Sequence, residues 1–164
     1  MSDYPTPGPP DGHTPPGLEF AFEGSFDVSR PLEIADSPYG KRRIIPITGG
    51  TFEGPRVRGE VVPGGADWQI VHSDALVTLT ATYALRADDG ALIAVTNSGF
   101  RRADPELLAA LARGEDVDQR QIYFRTTARF ETDAPQHRWL SDHLFIGSGR
   151  RRPGGVIITF WQVG

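Results

Sequence analysis

Residues 61–83 read VVPGGADWQIVHSDALVTLTATY. Two alternating runs lie on either side of Pro63-Gly64-Gly65, a break that needs no side chain and tolerates positive φ. Asp67 and Trp68 follow directly, and a carboxylate and an indole at a strand entrance point to the rim of a pocket. From Ala75 the alternation is long: Val77, Leu79, Ala81, Tyr83 and Leu85 share one face, and Thr78, Thr80 and Thr82 the other. A period of two with one apolar face is the pattern of a half-buried strand. Asp88-Asp89-Gly90 then signals a hairpin into a partner strand, Ala91 to Arg101. On that arm Ile93, Val95, Asn97, Gly99 and Arg101 are in phase, so an apolar face turns polar toward its far end, as the mouth of a pocket would. A bulge at Gly99 would reverse the phase of Arg101 and expose it.

The same alternation recurs upstream. Leu18, Phe20, Phe22, Phe26 and Val28 alternate with polar residues, with Gly24 at the centre of the apolar face. Residues 30–40 are turn-rich, 43–48 read as a short strand ended by Gly49-Gly50, and 56–62 as a strand ended by the Pro63 break. Downstream, Asp104-Pro105-Glu106 opens the one convincing helix, with an Asp cap, Pro at the first helical position and Gly114 past the end. It is short enough to plug one end of a closed sheet. Residues 121–132 alternate again, with Ile122, Phe124, Ala128 and Phe130 opposite Tyr123, Arg125, Arg129 and Glu131. The last strands are predicted over 139–146 and 156–163, joined by a basic, solvent-exposed tip from Gly147 to Gly155. Roughly seven to ten strands with one short helix argue for an all-β domain. Long arms, glycines inside strands and polar groups interleaved on apolar faces favour a single antiparallel closed β-barrel over a sandwich. The barrel is expected over residues 18–164. Residues 1–17, with six prolines, are expected to form a disordered or polyproline-like arm.

Composition removes several classes of function. The chain has no cysteine, which excludes thiol catalysis, thiolate metal sites and disulfides, and suits a cytoplasmic location. A formal charge of −4 lacks the basic excess of a nucleic-acid binder. No apolar run approaches the ~20 residues of a membrane-spanning helix. His72, His137 and His143 have no metal-ligand spacing, so no metal is expected. The Gly147–Gly155 segment lacks the ending of a phosphate loop, and no Gly-x-Ser-x-Gly elbow is present.

Taken together and in order, PGGADWQ at 63–69, Tyr83, DDGALIAVTNSGFR at 88–101, YFRTTARFET at 123–132 and WLSDHLFIGSGRR at 139–151 resemble the family catalogued as domain of unknown function 3237 (uncharacterised protein family 0311). The resemblance covers everything after the arm. It implies a calycin-like, lipocalin-like barrel around a central cavity, and carries no established catalytic set.

Aromatic and ionisable residues on strand faces are the lining of a ligand cavity. The candidates are Asp67, Tyr83 and Arg101 for catalysis, and Trp68, Asn97, Tyr123, Arg125, Glu131 and Trp139 for ligand binding. Two functions fit. One is a cofactor-free lyase, isomerase or cyclase, in which Asp67 moves a proton and an arginine with a tyrosine stabilises an oxyanion. The other is a non-catalytic carrier of a small, largely apolar or aromatic molecule. Either way the expected partner is a small molecule, with neither nucleic acid nor membrane; self-association is left open.

Overall fold

The computed structural model describes residue 8 and residues 12–72 and 75–164. Residues 1–7 and 9–11 of the predicted arm lie outside the described residues. Nine strands are present: β1 (Leu18–Val28), β2 (Leu32–Ser37), β3 (Gly40–Glu53), β4 (Arg58–Val71), β5 (Leu76–Ala87), β6 (Leu92–Arg102), β7 (Tyr123–Glu131), β8 (Phe145–Arg152) and β9 (Gly155–Val163). Helix α1 (Pro105–Ala112) separates β6 from β7, and a single helical turn, α2 (Trp139–Asp142), precedes β8. The sheet order is β1-β9-β8-β7-β6-β5-β4-β3-β2, every pairing antiparallel, and an additional β1–β3 pairing closes eight of the strands into a barrel. Closure leaves no open edge around the ring. The exception is β2, which flanks only the first third of β3.

The alternation works as the sequence predicts on β5, β6 and β7. Val77, Leu79, Ala81, Tyr83, Leu85, Ile93, Val95, Phe124, Ala128 and Phe130 are all buried inside. Register between β5 and β6 runs unbroken from Leu76↔Arg102 to Arg86↔Leu92. Gly99 therefore carries no bulge. Its role is space: a Cβ there would lie 2.1 Å from the Arg125 carbonyl oxygen and 2.7 Å from Thr126 Cα on β7.

Bulges sit elsewhere. Pro63-Gly64-Gly65 is not a turn between strands but a bulge inside β4, since Val62 pairs with Ala84 and Ala66 with Thr82. Two extra residues preserve the phase, so Val61 and Asp67 both face inward. Gly64 has φ +110°, and a Cβ on Gly65 would lie 2.5 Å from that of Tyr83, so this position takes only glycine. Gly49-Gly50 likewise does not end β3, which continues through it to Glu53, and the turn-rich segment 30–40 contains strand β2. A register shift between Phe20 and Phe22 on β1 turns Leu18 and Phe20 outward, contrary to the simple alternation.

One end of the barrel is filled by aromatic rings. Phe22, Phe52, Phe130, Phe145 and Phe160 meet with centroids 4.8 to 5.6 Å apart, mostly edge-to-face, each pair worth about 0.5–1.5 kcal/mol beyond its burial. The plug over this end is α2, which brings in Leu140 and Trp139. The expectation of a strand from Trp139 fails because Pro135 opens a 3-10 turn over Pro135–His137 and the chain stays helical to Asp142. Arg56 caps Trp139 with its guanidinium 4.1 Å above the ring. Helix α1 is capped as its sequence predicts, the Asp104 carboxylate accepting from the Glu106 N–H at 2.9 Å. It leaves β6 at the other end, beyond Arg101, and packs Leu107, Leu108 and Leu111 against the core.

Candidate functional site

The unfilled half of the barrel is a cavity of about 120 Å³. That is somewhat below the ~150 Å³ of an apolar cavity that accepts benzene. Its walls are apolar: Phe26, Ile45, Ile47, Leu79, Phe124 and Ile158 among them.

The polar lining is arranged in successive rungs of the sheet. One rung runs Tyr83–Val95–Phe130, against the aromatic floor. The next runs Ile45–Asp67–Ala81–Asn97–Ala128. Above it lies Arg43–Gln69–Leu79–Gly99–Thr126, and above that Val71–Val77–Arg101–Phe124. Residues two apart along each strand thus deliver a phenol, then a carboxylate and an amide, then a second amide with a guanidinium, then another guanidinium. Arg151 adds a further guanidinium from the rim of the β8–β9 hairpin.

Hydrogen bonding within the lining is incomplete. Arg43 Nε donates to Gln69 Oε1 at 2.8 Å, and Gln69 Nε2 donates to Asp67 Oδ2 at 2.6 Å. Asp67 Oδ1, Tyr83 Oη, Asn97 Oδ1 and Arg101 Nε of the lining are buried with no partner among the described residues, as are Thr126 Oγ1, His137 Nδ1 and Trp139 Nε1 elsewhere. Buried polar atoms without partners are costly, and four of the seven line this one cavity.

Electrostatics follow from that burial. Desolvation raises the Asp67 pKa above 3.8, and the Gln69 hydrogen bond and the charges of Arg101 and Arg43 only partly oppose it. Tyr83 is pushed up by burial first and by the Asp67 charge second, so it stays a neutral phenol. Arg101 is brought down to about 10 by desolvation and by repulsion from Arg151 and Arg43, with Asp67 pulling the other way. It remains a cation at neutral pH.

The structure brings Asp67, Tyr83, Arg101 and Asn97 together at this cavity. It places Trp68, Tyr123, Arg125 and Glu131 on the outer face: Trp68 and Tyr123 are each 52% exposed, and Arg125 stacks on Tyr123 outside the barrel. Trp68 is next to Asp67 on a strand and must point the opposite way. Trp139 is buried, but in the plug beside Phe145 at 5.8 Å, away from the cavity. Three polar residues that sequence reasoning missed are Arg43, Gln69 and Arg151. Their signal was phase: Arg43 is in step with Ile45 and Ile47, Gln69 with Asp67, and Arg151 with Phe145. The segment 147–155 is two strands meeting at Pro153-Gly154, and Arg151 lines the cavity mouth, where a wholly solvent-facing tip is expected from sequence.

Among the described residues no group of three or more His, Asp or Glu could hold a metal ion.

A family model described as protein of unknown function (DUF3237) matches residues 16–163. A UPF0311 protein of Rhodopseudomonas palustris is 50% identical over 137 residues, 84% of this chain and 88% of that protein. The crystal structure of a conserved protein of unknown function from the same species superposes with a TM-score of 0.86 at 41% identity, covering 93% of this chain and 99% of the other. The hydroalkoxylation enzyme phnH of Penicillium herquei is 34% identical over 151 residues, 92% of this chain and 85% of that one. The fold, its closure and these matches agree: the chain belongs to the DUF3237 family.

Proposed function

We propose that this barrel is a cofactor-independent enzyme of the lyase, isomerase or cyclase kind, acting by acid–base chemistry on a small, largely apolar or aromatic molecule held in the cavity. The observation that carries the reading is Asp67: a buried carboxyl group with its proton affinity raised, one oxygen held by Gln69 and the other unpartnered, at an apolar cavity shared with Tyr83 and Arg101. A carboxyl group whose pKa is shifted toward the working pH can both give and take a proton. Gln69 fixes its orientation. Tyr83 offers a phenol donor to a substrate oxygen, and Arg101 sets a fixed cation at the opening of the same cavity.

Hydroalkoxylation, the reaction named for the Penicillium relative, is of the kind such a site supports. An O–H adds across a C=C bond in one molecule, and no atom is lost. Here Asp67 protonates one alkene carbon, the substrate oxygen bonds to the other, and the hydroxyl proton returns to the Asp67 carboxylate. The test uses 2-allylphenol, a one-ring probe carrying both groups. Wild-type protein is expected to convert it to a cyclic ether of unchanged mass, and Asp67→Asn to lose about 100-fold or more in turnover. Equal turnover by the variant removes Asp67 from the chemistry. Retention of the probe with no conversion makes the barrel a carrier.

A further inference from the structure

Charge around the cavity is unbalanced. Among the described lining residues three guanidinium groups, Arg43, Arg101 and Arg151, stand against a single carboxylate, Asp67. The β8–β9 hairpin shows that this is not a shortage of acids. Of its consecutive arginines, Arg150 pairs with Glu23 at 3.3 Å and Arg152 pairs with Asp27, whereas the side chain of Arg151 between them has no hydrogen bond or ion pair among the described residues. Arg101 also forms no ion pair among the described residues, and its Nε is buried without a partner. Asp67, the one acid among the described lining residues, makes no direct ion pair with any of the three, and Gln69 stands between it and Arg43, bonding to both. Cations gathered at the mouth of a largely apolar cavity in excess of the acids there leave a place for an anion. The guanidinium fork matches the two oxygens of a carboxylate.

We propose that the ligand of this cavity is an organic acid, its carboxylate gripped at the mouth by Arg101 and Arg151 with Arg43 beside them, and its apolar body directed inward to Asp67 and Tyr83. This rests on the reading of the cavity as a small-molecule site, and adds the charge class of what enters. Each arginine has its own part. Arg151, exposed at the rim, meets the anion first. Arg101, deeper and half-buried, replaces its missing partner with the bound carboxylate. Arg43, tethered to Gln69, transmits the event to Asp67: drawing Arg43 toward the anion loosens the Gln69 bridge on the oxygen of Asp67 that it holds.

Benzoate and its neutral isostere benzamide discriminate the idea, by calorimetry or ligand-detected NMR on the full chain. Benzoate is expected to bind at least tenfold tighter than benzamide, with an affinity that falls as salt is added. Arg151→Met and Arg101→Met are each expected to weaken benzoate at least tenfold and to leave benzamide unchanged. Asp67→Asn, which removes the one carboxylate among the described lining residues, is expected to hold or tighten benzoate binding. Equal affinity for the two compounds, indifference of benzoate to both arginine variants, or binding of neither overturns the proposal. Charge-selective binding with normal turnover in Asp67→Asn leaves this proposal standing and removes the acid–base role. An inactive Asp67→Asn with no preference for benzoate does the reverse.

Discussion

Asp67 works against the fold that holds it. Its native pKa lies above the unfolded value of 3.8, because burial disfavours the carboxylate more than Gln69, Arg101 and Arg43 favour it. The folded state therefore binds this proton more tightly than the unfolded chain does. Stability from this group is fully present below pH 3.8 and is lost as the pH rises through the native pKa. Asp67→Asn, which mimics the protonated form, is expected to melt above the wild type at neutral pH, with the gap closing as the pH is lowered toward 3.8; melting curves across that range check it. A loss of stability at neutral pH would mean that the charged carboxylate is a net support. The same residue shows what single positions reveal in sequence. Parity alone puts Asp67, Gln69, Asn97 and Arg101 on inner faces, and parity alone removes Trp68 from Asp67's side and Tyr123, Arg125 and Glu131 from that of Phe124 and Phe130. Chemistry-bearing side chains on the polar face of an alternating strand are easily mistaken for a site when type is weighed before phase.

At the level of elements, the regular strands were legible and the irregular ones were not. β5, β6 and β7 obey a period of two without interruption, so their partners and inner faces follow directly from sequence. β3 and β4 carry Gly49-Gly50 and Pro63-Gly64-Gly65, and such residues serve a bulge as well as a turn. What decides between them is a long-range fact, the closeness of β1 at Gly50 and of Tyr83 at Gly65, which local sequence does not contain. The α2 plug was hidden for a related reason: Trp139 and Leu140 are apolar neighbours, which fits a strand end as well as one helical turn lying across the barrel. Leu140 is 1% exposed. Leu140→Ala is expected to cost about 2–5 kcal/mol in urea unfolding while leaving cavity affinities unchanged, since the plug and the cavity occupy opposite ends. A matching loss of ligand affinity would show that the two ends are coupled. A latch reinforces the plug's approach: His137 Nε2 and Gln136 Nε2 lie 2.7 and 2.9 Å from Asp89 Oδ2 in the β5–β6 turn. The Gln136 bond, then that from the Ala91 N–H, lowers the Asp89 pKa to about 2, so its contribution is present above 3.8 and lost as the pH falls through about 2. The group is exposed, and solvent screening keeps that contribution small.

For the whole molecule, the barrel begins where the proline-rich leader ends. Leu18 pairs with Val163, and the Gly164 N–H donates to the Gly17 carbonyl at 2.9 Å, so Gly17 already belongs to the seam. Deletion of residues 1–16 is expected to leave the melting temperature within about 2 °C of the full chain, because every strand pairing is retained. A larger drop in a thermal scan would assign the leader a packing role. That seam also ties the order of synthesis to the order of folding. β1 is made before the other eight strands, and its barrel neighbours are β3, available early, and β9, which comes after all the rest. The ring cannot be completed until β9 has left the ribosome, and until then β1 offers one bare edge to whatever is near. Joining the two ends by a short linker and opening the chain at the Asp88-Asp89-Gly90 turn would retain every pairing while making the seam strands neighbours in sequence. A protein that has to wait for the nine residues of β9 would then have them from the middle of its translation.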